Sequence, residues 1–168
     1  LVACQILLFF TQLSSCGYVS IEITDAILPL SGAPEHSDFV AEEITEEFGF
    51  LDDWEDRYQL LIDQGRRLAP LPSRYFHDKY RLSGCQSVVH FAAEKSLDGE
   101  IIFHAASDAA IVQGLIALLL RVYSGRTAEE IRETEPEFLR DIGLDSHLSA
   151  TRKNGLASMV TAIKVAAG

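Results

Sequence analysis

Cys85 lies in the run R-L-S-G-C-Q-S, residues 81 to 87, with Ser83 and Gly84 before it and Gln86 after it. Cysteine alone is more often a small core residue than a working one. These neighbours are flexible and polar, which suits a thiol on a loop tip that must approach another molecule. Such a thiol can be a nucleophile or a sulfur carrier if its thiolate is accessible. Spacing alone leaves the packing and reactive readings both open. The other two cysteines, Cys4 and Cys16, sit near the start of the chain. No C-x-x-C exists and no Cys/His pair has zinc-ligand spacing, so neither a disulfide framework nor a metal site is expected. One thiol in the folded part fits a reducing compartment, and a cytoplasmic location is expected.

The chain that must position this thiol has 168 residues, enough for one domain with a real core. Its net charge of −11 excludes a general nucleic-acid binder, which needs a basic face to neutralise phosphates. Residues 35 to 63 hold eleven acidic side chains and one basic, Arg57. That stretch is a solvated acidic face or a patch that steers a basic partner. The apolar run from Leu1 to Leu13 is too short and interrupted for a membrane helix. L-S-S-C at 13 to 16 is similar to a lipoprotein cleavage site, but no basic segment precedes the apolar run. Residues 1–36 are therefore expected to be an extension outside the domain, which would occupy 37–168, with L-P-L-S-G-A-P-E-H-S as the linker.

The domain reads as helices, a hairpin, then helices, which indicates α+β. Ser37 or Asp38 is expected to cap a helix ending near Phe48. Asp52 and Asp53 start a second, with Trp54, Tyr58, Leu61, Ile62, Gly65 and Leu68 on its apolar face. V-V-H-F-A-A and I-I-F-H-A read as strands joined at Asp98-Gly99. A lone hairpin is marginal, so a third strand is expected in residues 74 to 83, centred on Lys79-Tyr80-Arg81-Leu82. Ser107 is expected to cap a helix apolar nearly all round, stopped at Gly125. Thr127 and Glu130 form a capping box, Pro136 opens a turn closing at Gly143, and Ser149 caps a last helix from Ala150 to about Ala166.

Four blocks in order resemble the SufE family: F-L-D-D-W-E-D-R-Y-Q-L-L-I-D-Q-G-R-R-L (50–68), S-G-C-Q-S-V-V (83–89), S-D-A-A-I-V-Q-G-L-I-A-L-L (107–119) and H-L-S-A-T-R-K-N-G-L (147–156). The resemblance runs from about Glu43 to Ala166. It implies a SufE/IscU-like fold, with a small antiparallel sheet of about three strands packed against several helices. It implies that Cys85 accepts sulfane sulfur from a PLP-dependent cysteine desulfurase of SufS or CsdA type, stimulates that enzyme, and delivers the sulfur to an iron–sulfur scaffold complex. It implies no cofactor in this chain, since the partner's PLP cleaves the C–S bond, and no nucleic-acid or membrane partner. Ser83, Gly84, Gln86, Asp108, His147 and Arg152 are the implied loop or partner contacts.

The chain also departs from the family pattern. Ala105-Ala106-Ser107-Asp108 stands where Gly-Asp-Ser-Asp is usual, so the first aspartate is lost at Ala106. Ser87-Val88-Val89-His90 replaces S-Q-V-W, and Ala150 replaces the proline two residues before Arg152. Asp108 either compensates the helix dipole or positions the Cys85 loop. His147 serves for capping and packing or for function. Other chemistries need other partners. A cysteine hydrolase would pair Cys85 with His90, His104 or His147. An iron–sulfur scaffold needs more cysteine ligands than one. A desulfurase-binding regulator would need no cysteine at all.

Overall fold

The computed structural model describes residues 36–168, so the expected extension lies outside the described residues except for His36. Helix α1 spans His36–Gly49 and already contains Ser37 and Asp38, which therefore lie in its first turn and not ahead of it. An acid at Asp38 still opposes the positive end of the helix dipole. Helix α2, Trp54–Arg66, starts where expected, with the Asp53 carboxylate accepting from the Asp56 N–H at 2.9 Å.

Strands β1 (Val89–Lys95) and β2 (Glu100–Ser107) form the antiparallel hairpin, in the register Val89↔Ser107 through Lys95↔Ile101. Period-2 alternation sends Ile101, Phe103 and Ala105 of β2 into the core. The opposite face carries His104 and Ala92, with Leu71 and Tyr75 packed on Ala92 in a smaller cluster.

The third strand is not in residues 74 to 83. Ser73–Tyr75 and Asp78–Tyr80 are two 3-10 turns, and the strand-type pairing of that stretch is an isolated Arg81–His90 bridge. The third strand is β3, Arg126–Thr127, antiparallel to β2. Two prolines, Pro70 and Pro72, immediately precede that stretch and disfavour a continuous strand leading into it, and Tyr75 in the first turn is buried against Leu71 and Ala92.

Helix α3, Ala110–Tyr123, is the central helix and packs against α1, α2, β2 and the last helix. Ser107 is not its N-cap. It ends β2, and Ala109 occupies the cap position. The Ser107 hydroxyl instead accepts from the Ala109 N–H at 3.3 Å, which bends the chain from strand to helix. Gly125 stops the helix region at φ +74°, where a side chain would be strained.

Thr127 and Glu130 make the capping box of α4, Ala128–Glu133. Short helices α5 (Phe138–Asp141) and α6 (Leu144–His147) flank Gly143, at φ +80°. Helix α7 spans Ala150–Ala166, with Ser149 at its cap position but making no side-chain bond there. Among the described residues the arrangement is α+β: one three-stranded antiparallel sheet with helices around it. Among the described residues no helix is long and apolar enough to cross a membrane.

Candidate functional site around Cys85

The loop that carries Cys85 leaves the sheet at Leu82, whose N–H donates to the Val89 carbonyl at 2.8 Å. It returns at Val88, whose N–H donates to Asp108 Oδ1 at 3.1 Å. The Asp108 N–H in turn faces the Val88 carbonyl at 3.4 Å. Both ends of the loop are thus anchored while its tip carries the thiol. Gly84 turns the chain at φ +90°, a conformation glycine reaches without strain.

The tip rests on α7. Cys85 Sγ lies 3.7 Å from the Gly155 carbonyl oxygen, a weak S–H···O contact. A Cβ placed on Gly84 would meet Ser158 Oγ at 2.7 Å, so loop and helix touch at both residues. The seat itself is firm. Met159 and Ile163 anchor α7 in the core, and the Lys164 ammonium donates to the Thr134 carbonyl at 2.6 Å.

Beside the sulfur is a cavity of about 370 Å³. Cys85, Gln86 and Ser87 form its loop wall, and Val112 and Leu115 of α3 meet Leu156 and Met159 of α7 across it. Arg152, exposed on the first turns of α7, stands on its rim. Cys85 is half-buried, and burial pushes its thiol above the ordinary cysteine range by disfavouring the thiolate. In this seat the sulfur is a partly shielded thiol.

The structure brings Cys85, Gln86 and Arg152 to one cavity, and Asp108 to the base of the loop. Ser83 is exposed beside Gly84 and is not part of the cavity lining. His147 is elsewhere: its ring stacks on Trp54 with centroids 3.5 Å apart, and its Nδ1 donates to the Gly143 carbonyl at 3.1 Å. That is a packing role between α2 and α6. His104 faces the Glu94 carboxylate at 3.3 Å and His90 meets the Phe76 ring, both on the sheet. No histidine lines the Cys85 cavity among the described residues, so the thiol has no imidazole base there.

Sequence reasoning missed Gly155, Ser158 and the apolar walls from α3 and α7. The available signal was a glycine in the interior of a strong helical segment, three residues after Arg152. Among the described residues no group of three or more His, Cys, Asp or Glu side chains could hold a metal ion.

A family model described as "SufE: Fe-S metabolism associated domain" matches residues 42–167. An uncharacterized SufE-like protein of Rhizobium meliloti (strain 1021) is 39% identical over 127 residues, covering 73% of this chain and 91% of that protein. A second uncharacterized SufE-like protein, from Rhizobium etli, is 41% identical over 127 residues, covering 73% of this chain and 86% of that one. The solution structure of a hypothetical protein from Thermus thermophilus aligns with a TM-score of 0.63 at 22% identity, covering 76% of this chain and 93% of that one. That likeness shows a shared fold.

Proposed function

The chain belongs to the SufE family, whose domain is associated with iron–sulfur metabolism, and from that premise we propose that it is a sulfur-acceptor protein working through Cys85. The observation that carries the reading is the placement of Cys85. It is the free cysteine of the described residues, on a loop tip anchored at both ends, with its sulfur against a cavity.

The Cys85 thiolate attacks the outer sulfur of a persulfide on the desulfurase cysteine. A bond forms between Cys85 Sγ and that sulfur, and the donor's S–S bond breaks. The donor cysteine leaves as a thiolate with the bonding electron pair, so no external oxidant or reductant enters. The product is Cys85–S–SH, which passes its outer sulfur to an iron–sulfur scaffold complex by the same exchange. The partner's PLP does the C–S cleavage that generates the first persulfide. A desulfurase of SufS or CsdA type in the cytoplasm is the proposed donor, and its turnover rises when Cys85 removes its sulfur. Arg152 on the cavity rim and Gln86 on the loop are the proposed contacts with it.

The test is incubation with a cysteine desulfurase, PLP and cysteine, followed by intact-mass and peptide mass spectrometry. One added sulfur atom on Cys85 is expected, with none on Cys85→Ser. Cys4→Ser and Cys16→Ser should accept sulfur as the wild type does. An unmodified wild type, or a Cys85→Ser variant that stimulates the desulfurase fully without reductant, overturns the reading.

A further inference from the structure

We propose that Gly155 is a positioning residue for Cys85: the missing side chain at this point of α7 is what lets the loop seat the Cys85 sulfur against the helix. The proposal rests on the sulfur-acceptor reading of Cys85 and names what sets that sulfur's resting position.

Glycine inside a 17-residue helix is a poor choice by local propensity, since alanine there loses less backbone entropy on folding. Two ordinary reasons for a helical glycine are absent at Gly155. Its φ is not among the positive ones, so no left-handed turn requires it. It does not serve a helix–helix crossing either, as Gly65 and Gly114 do for α2 and α3. A Cβ built on Gly155 would find three nearest atoms, all of them in Cys85: Sγ at 3.3 Å, Cβ at 3.8 Å and Cα at 3.9 Å. The Gly155 carbonyl is also the acceptor that faces the Cys85 sulfur.

The contact at 3.3 Å is tighter than ordinary van der Waals packing, so even alanine makes the sulfur give way. The loop is the part that moves. Helix α7 is fixed by Met159 and Ile163 in the core, whereas the loop tip is half-exposed, with strong hydrogen bonds at its ends and only the weak sulfur contact at its tip. A methyl at position 155 displaces the sulfur slightly, and a longer side chain fills the place where the loop rests.

The test is the rate of iodoacetamide labelling of Cys85 in the full chain, with thermal unfolding measured in parallel. Gly155→Ala should label several-fold faster and Gly155→Leu about tenfold faster than wild type, as overpacking drives the loop from its seat. Asn154→Ala, an exposed change one residue away on the same helix, should label at the wild-type rate. If Gly155→Leu does not fold, Gly155→Ala decides. Unchanged labelling in Gly155→Ala overturns the proposal, as does faster labelling that only tracks a fall in unfolding temperature. Labelling needs no desulfurase, so its outcome is separate from sulfur acceptance. A graded labelling series in a protein that takes up no sulfur supports the positioning role and rejects the sulfur-acceptor reading.

Discussion

Asp108 and Val88 hold each other twice, by the Val88 N–H to Asp108 Oδ1 at 3.1 Å and the Asp108 N–H to the Val88 carbonyl at 3.4 Å. The pair continues the β1–β2 ladder one step beyond Val89↔Ser107, with a carboxylate standing in for a backbone acceptor. Asp108 also lies two residues ahead of α3, where a negative charge favours the helix dipole. The two roles separate by mutation. Asp108→Ala should cost about 1 kcal/mol and raise Cys85 alkylation, because the Val88 end of the loop loses its acceptor. Asp108→Asn keeps an oxygen for Val88 and should restore slow alkylation. Equal alkylation in wild type, Ala and Asn variants would leave Asp108 a helix-terminus charge.

Burial raises the thiol of Cys85, so its alkylation should turn on late in a pH titration. The rate follows thiolate, and its midpoint is expected above the ordinary value of about 8.5. The sign for stability is fixed by the same shift. A raised folded value means the stabilising term is present below the ordinary thiol range and is lost as pH rises through the folded value. Alkylation of the unfolded protein in denaturant should return to the ordinary midpoint. A midpoint in the native protein at or below that of the unfolded chain contradicts the buried resting sulfur.

Glu94 collects three partners on the outer face of the sheet: the Tyr75 hydroxyl, Arg74 and His104. The Tyr75 hydrogen bond and then Arg74 hold its carboxyl down at about 2. A depressed carboxylate contributes stability above its unfolded value, and that stability fades as pH falls towards the folded one. Wild type should therefore melt above Glu94→Gln at pH 6, and the gap should close between about pH 4.5 and pH 2. A gap independent of pH over that window would assign the effect to packing of Tyr75 alone.

Gly114 is the counter-case to Gly155. A Cβ on Gly114 would overlap the Leu61 carbonyl oxygen, and one on Gly65 would sit 2.7 Å from the Gly114 nitrogen. Both neighbours are backbone, and neither helix can yield without moving the core residues Leu61 and Leu115. Gly114→Ala should destabilise by roughly 1–3 kcal/mol in denaturant unfolding, despite its better helix propensity. A stabilised Gly114→Ala would mean that α2 and α3 can separate at no cost.

Local chemistry was legible in the sequence wherever a short stretch holds both partners of an interaction. Thr127 and Glu130 cap their own helix three residues apart, Asp53 caps α2 through Asp56, and period-2 alternation marks β2. Cys85 stood out because its own neighbours are small and polar, and four ordered blocks tied it to a family. Other features depend on residues far apart along the chain. The third strand is two residues long, too short to carry a pattern, and exists because β2 offers an edge to Arg126 and Thr127. His147 is a packing residue because folding brings Trp54 under its ring. Gly155 reads locally as a weakness in a helix, and only the fold puts the Cys85 sulfur, seventy positions earlier, against its bare backbone. The sequence by itself singled out Cys85 as the candidate thiol. The tertiary structure decided where that thiol rests, because steric contact acts through space and leaves no periodic trace along the chain.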